Sequence, residues 1–164
     1  MSALALFQWL QGRPWAIAFH ESRYVFPLVE TIHVLGLAGS VGLILVTDLR
    51  LIGVLLREEP VAEVMGRNRR WMWMSFASMF ATGALLFCSE AANCYLSPTF
   101  RAKILFLFLA GVNAFAFETT IGKRVSVWGR AADTPFAARF AGWASLVCWT
   151  AVILFGRWTA YGLQ

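Results

Sequence analysis

The chain has 164 residues, 59% of them hydrophobic and only 14% charged, where soluble domains average roughly 45–50% and about 25%. Such a chain cannot cover a soluble surface with polar groups, and it is too apolar to stay disordered. Its net charge of +5 does not indicate a nucleic-acid partner, because the basic residues sit between apolar runs rather than in one stripe. One domain, residues 1–164, in contact with the lipid bilayer is what remains.

Residues 1–24 form an N-terminal segment ahead of the first long apolar run. The stretch 3–10 is apolar but has no basic start, and Gln11-Gly12-Arg13-Pro14 interrupts it. A cleavable signal wants a basic start and a longer apolar region, although Ala16-Ile17-Ala18 has the small-x-small form of a cleavage site. The segment predicts one or two short helices in the outer interface. Phe7, Trp9, Leu10, Trp15 and Phe19 would dip into lipid, and Pro14 would stand at a first helical position.

Four spans follow, at about 25–47, 71–89, 104–122 and 140–156. Each is close to the ~20 residues that cross a ~30 Å hydrocarbon core as a helix. None alternates with the period of a β-barrel strand, so the fold class is an all-α integral membrane four-helix bundle. Residues 61–65 read as a short helix start between the first two spans. Asp133, Thr134 and Pro135 read as a cap before the fourth. Trp71, Trp73, Trp128, Trp143, Trp158 and Tyr161 lie near span ends, as an aromatic belt requires.

Lys and Arg set the expected orientation. Arg50, Arg57, Arg67, Arg69, Arg70, Lys123, Arg124, Arg130 and Arg139 fall on one side. Arg13, Arg23, Arg101, Lys103 and Arg157 fall on the other. The larger group belongs in the cytoplasm, which puts both termini outside. The localisation expected is multi-pass, in a bacterial inner membrane with a periplasmic outer face.

Polar residues at membrane depth are functional candidates. Glu30 and His33 lie one turn apart on one helix face. With Glu90, Lys103 and Arg157 they make an outer layer drawn from all four spans. Asp48 and Arg50 mark the inner edge and are expected to pair. Asn113 occupies the middle. Glu118 needs a cation such as Arg50 or Arg70, an altered protonation state, or water. The structural alternative makes these residues anchors and interhelical glue. Gly36 and Ser40, and Ala38 and Gly42, are small pairs that let helices approach closely; alternatively Gly36 leaves room for a flat cofactor beside His33.

Metal ligands would come from Glu30, His33 and Glu90. The Glu-x-x-His pair is the one used in carboxylate-bridged di-metal bundles, but it occurs once here rather than twice. A haem b held by two imidazoles would need His33 with His20, or two copies of His33 across a dimer. Cys88, Cys94 and Cys148 contain no CxxC; Cys94 stands out because it falls near a membrane surface.

His33-Val34-Leu35-Gly36-Leu37-Ala38-Gly39, Thr47-Asp48-Leu49-Arg50-Leu51, Thr82-Gly83-Ala84-Leu85-Leu86-Phe87, and Phe100-Arg101-Ala102-Lys103 followed by Asn113 form a pattern. It resembles a family of uncharacterised small four-span bacterial inner-membrane proteins. More distantly it is similar to copper-resistance-D type membrane domains. The resemblance covers about residues 21–118. It implies that His33, Asp48, Arg50, Lys103 and Asn113 are the positions to test, and that the chemistry is membrane metal or redox chemistry; the cofactors considered are haem b and copper.

Three functions are therefore expected, in this order. The first is handling of a metal or redox cofactor near the outer leaflet, including electron transfer. The second is a proton, ion or small-solute path from Glu30 and His33 past Asn113 to Glu118. The third is a non-catalytic accessory or scaffold subunit of a membrane complex. A homo-oligomer is expected, and no catalytic residue is assigned.

Overall fold

The computed structural model describes residues 2–129 and 134–162. The described residues are helical, with turns between helices. Ahead of the first span lie α1 (Ala3–Gln11) and α2 (Pro14–His20). The Ser2 hydroxyl accepts from the Ala5 N–H and starts α1, the role of an N-cap. Pro14 stands in the first turn of α2.

The long helices are α3 (Val25–Ile52), α4 (Val61–Ser89), α6 (Pro98–Thr119) and α8 (Phe136–Gly162). The short α5 (Ala91–Leu96) links α4 to α6. After α6 come a 3-10 turn at Gly122–Arg124 and the short α7 (Val125–Trp128). Four helical stretches are long and apolar enough to cross a membrane. Their outward faces carry Leu35, Phe108, Phe115, Phe140 and Val147, all exposed. Water would penalise that surface heavily, whereas hydrocarbon accepts it. The chain is a small multi-pass membrane protein.

Several boundaries differ from the hydropathy reading. The second span begins at Val61 rather than near residue 71, so residues 61–65 are the start of α4 itself. Charged residues there end the apolar run but not the helix. Val61, Val64 and Asn68 remain buried at spacings of three and four, so one face still packs. The third helix starts and stops earlier, over 98–119 rather than 104–122. Ser97 accepts from the Phe100 N–H, and Pro98 follows it in the first turn. The fourth extends to 136–162 rather than 140–156. Asp133, expected as a cap, and Arg130, counted for orientation, lie outside the described residues.

Small residues set the tightest approach, between α3 and α4. A Cβ on Gly36 would meet the Met79 N and Ser75 O of α4 at 3.2 Å each. The space beside Gly36 is thus occupied by the α4 backbone, and the flat-cofactor reading of Gly36 is corrected to close helix packing. Ser40, fully buried, returns its hydroxyl to the Gly36 carbonyl at 2.9 Å. Gly142 does the same job between α8 and α3, with the Asp48 carbonyl 3.2 Å from where its Cβ would be.

Two apolar clusters hold the bundle. One joins Leu51, Val61, Phe117, Ala138 and Ala141 at the end where α3 stops. The other joins Ala110, Trp149 and Val152, flanked by Leu37, Val41 and Phe76, at mid-depth. Gly53 closes α3 with φ of 85°, a left-handed conformation that suits glycine.

Candidate functional site

His33 is the most definite polar feature at the end of the bundle where α3 begins. Its Nδ1 lies 2.9 Å from the Met79 carbonyl and 3.1 Å from the Thr82 hydroxyl on α4. A carbonyl can only accept, so Nδ1 carries the proton. Thr82 already donates to the Ser78 carbonyl at 2.7 Å, so its oxygen is placed to receive. Nε2 of a neutral imidazole then holds a lone pair, and no hydrogen bond reaches it among the described residues. The ring lies against Gly83, where a Cβ would come within 2.9 Å of Cε1. Met79, Thr82 and Gly83 therefore fix the ring's position and tautomer. Sequence reasoning singled out His33 and gave these three no role beside it, although Thr82 and Gly83 stand in the quoted pattern; the signal available was a threonine followed by a glycine inside an apolar helix.

Glu30 and Lys103 are the charges within electrostatic reach of His33. Glu30 is exposed, and Lys103 is partly buried. The Lys103 stem packs on Gly156 of α8, with Cδ and Cε 3.7 Å from where a Cβ would stand. Its ammonium is 5.9 Å from the centre of the Phe100 ring. Among the described residues no ion pair neutralises Lys103.

The other residues expected in the outer layer turn elsewhere. Glu90 meets His20, with Nδ1 3.3 Å from Oε1, and accepts from Asn93 at 2.6 Å. That contact ties α2 to the end of α4, and the bond from the Ala92 N–H to Gln11 Oε1 ties α1 to α5. Arg157 donates to the Tyr161 hydroxyl one turn along α8 and lies over its ring. It does not join His33. Glu30, His33 and Glu90, expected as metal ligands, do not converge. Among the described residues no group of three His, Cys, Asp or Glu side chains is arranged to hold a metal ion.

Cys94 is buried on α5. Burial, with the negative charge of Glu90, pushes its thiol up to about 11. Little of it is thiolate near neutral pH, so it is a poor nucleophile and metal ligand.

The far end of the bundle is organised differently. Asp48 and Arg50 are 6% and 4% exposed, yet they do not pair. Residues two apart on a helix point in nearly opposite directions, which overturns the expected inner ion pair. Arg50 Nε donates to the Glu59 carbonyl at 2.7 Å. Asp48 faces α8, where Ser145 is the polar side chain that acts on it, and among the described residues its Oδ2 has no hydrogen-bond partner. Asn113 donates to the Ala141 carbonyl at 3.0 Å, one turn before Ser145, so its role as interhelical glue has a specific partner. Glu118 is exposed. Among the described residues neither Arg50 nor Arg70 forms an ion pair with it.

The residues present meet part of what haem b would need. One imidazole offers a free nitrogen on a fixed ring, and one unneutralised ammonium lies at the same level. His20 Nδ1 is held by Glu90 much as His33 Nδ1 is held by Met79, so its Nε2 is free as well; but His20 is turned to Glu90 and Phe26, and no contact joins it to His33 among the described residues. No curated protein and no solved structure matches the chain. The similarity to copper-resistance-D type domains is carried by none of these comparisons. Residues 23–162 match the model of a family of unknown function, DUF6644, and the chain belongs to that family.

Proposed function

We propose that this membrane protein handles a redox cofactor at the end of the bundle where α3 begins, with His33 Nε2 as the one ligand that each chain supplies. The observation that carries this reading is the pair of hydrogen bonds at Nδ1. Imidazoles that ligate metals have their other ring nitrogen held by a carbonyl or carboxylate in this way. Haem b suits the donor set better than copper. A lone imidazole can serve as one axial ligand, whereas no multi-residue metal cluster forms among the described residues. The second axial ligand would come from His33 of a second copy or from a membrane partner. The Ala38 and Gly42 pair supports a second copy: both residues are exposed, and nothing lies within 4 Å of a Cβ on Gly42. Lys103 would compensate acidic groups on the cofactor. The test is cofactor content after purification in mild detergent. His33→Ala should empty the protein while leaving its helical content unchanged, and equal cofactor content in both would defeat the proposal.

A second reading, an ion or proton path, is favoured by one observation. Asp48 is a buried acid with an unpartnered oxygen at membrane depth, and such residues mark ion pathways. The path would end at Asp48 rather than at the exposed Glu118. Flux in reconstituted vesicles that Asp48→Asn abolishes would support it, and absence of flux under every imposed gradient would defeat it.

A further inference from the structure

The start of α8 carries one charge pattern that the functions above do not use. Its first turn contains no acidic residue, although a helix N-terminus favours negative charge. It contains Arg139 instead. Phe136, Arg139, Phe140 and Trp143 fall at spacings of three and four, so they share one stripe. All four are exposed. Together with Ile52 of α3 they line an open groove of about 250 Å³. Arg139 Nε rests on the Ile52 carbonyl at 3.5 Å, which holds the guanidinium at the mouth of the groove. Among the described residues no carboxylate pairs with Arg139.

Arg139 puts positive charge at this groove, and among the described residues no carboxylate meets it; Asp133, the acid nearest in sequence, lies outside them. The walls are aromatic and aliphatic. A free phosphate would gain nothing from them, whereas a lipid carries both a phosphate and an acyl chain. Trp143 lies one turn deeper than Arg139, in the order that an interfacial belt takes. We propose that this groove is a binding site for an anionic phospholipid, with the phosphate on Arg139 and one acyl chain along Phe140, Trp143 and Ile52.

The volume suits a segment of one chain, not a whole lipid. Selectivity between headgroups therefore rests on charge at the mouth. A single basic residue near a membrane surface favours an anionic lipid by about fivefold. Zwitterionic lipid of the same acyl length should use the walls equally well and the mouth less well.

The experiment is native mass spectrometry of the full chain, released from detergent, with phosphatidylglycerol and phosphatidylcholine of matched acyl chains. The wild-type chain is expected to retain phosphatidylglycerol about fivefold better. Arg139→Gln should remove the preference, and Arg139→Lys should keep most of it. Arg101→Gln, a change at an exposed arginine near the start of α6, should leave it intact. Phe140→Ser should lower retention of both lipids together. Equal retention by the wild-type chain would overturn the proposal, because Arg139 would then be a simple interfacial anchor. So would an unchanged preference in Arg139→Gln. Should Arg139→Gln fail to fold, Arg139→Lys against Phe140→Ser still separates charge from wall: loss of preference in the lysine variant, or in the serine variant alone, contradicts the assignment.

Discussion

His33 and Asp48 stand on the same helix, 15 residues and so roughly 22 Å apart, and their surroundings are opposite in kind. Around Asp48 the bundle is closed. Leu51, Ile52, Val61, Val64 and Ala138 are buried there, and Arg50 and Arg139 donate to backbone carbonyls. Around His33 fewer side chains are buried: α3 has no buried residue ahead of Gly36, and the short helices α1 and α2 are tied on through side chains such as Gln11 and His20. The tight end leaves one acid oxygen without a partner; the other end leaves one imidazole nitrogen free on a fixed ring. A free nitrogen on a partly exposed ring is available to a cofactor or a second copy, whereas a buried acid between packed helices is not. That difference is why the functional centre is placed at His33.

The comparison can be broken most forcefully at the shared α3–α4 contact. Gly36→Val would drive a side chain into the α4 backbone, where even a Cβ is at 3.2 Å. Overpacking of this kind costs about 1–3 kcal/mol, and both ends should loosen together. Thermal unfolding in detergent should show a large drop in midpoint; an unchanged midpoint would mean that the two helices are not in close contact.

Gly83→Ala separates the two ends. Its methyl would meet His33 Cε1 at 2.9 Å, so the imidazole must move while the far end stays packed. Cofactor retention should fall several-fold more than the unfolding midpoint does. A matched fall in both would show that Gly83 serves only the packing.

Asp48→Asn tests the closed end. The change keeps shape and removes the capacity for an unpaired charge, which is costly at depth. Stability should hold or rise by about 1 kcal/mol, with cofactor content unaltered. A loss above about 3 kcal/mol would reveal a cationic partner, because removing one member of a buried pair costs that much.

The smallest effect is expected at Cys94. With its thiol pushed up to about 11 by burial and Glu90, labelling by a maleimide should be very slow near neutral pH. It should quicken as pH rises toward that value, since the thiolate reacts. Fast labelling at neutral pH would show that α1 and α5 part readily.

Much of the architecture was legible in the sequence because hydropathy reports on lipid contact directly. The four runs became α3, α4, α6 and α8, and Pro14 fell in a first turn. Helix ends were not legible from hydropathy, because a helix continues past the bilayer wherever one face still packs. Val61, Val64 and Asn68 show that at the start of α4. The site was legible by type but not by partner. His33 stood out as a polar residue in an apolar run. What it bonds to depended on which helix lies beside α3, and that is tertiary information. The Asp48–Arg50 pair failed for a reason available beforehand, since positions two apart do not face each other. Glu118 reads as needing a cation, an altered protonation state or water, and which of these applies depends on the face it presents; it is exposed.

The most direct test of the central claim is a reduced-minus-oxidised visible spectrum of the purified protein from cells supplied with haem. A b-type signal is predicted in the wild-type chain, retained in His20→Ala and lost in His33→Ala. A featureless wild-type spectrum, or a signal that survives His33→Ala, would contradict it.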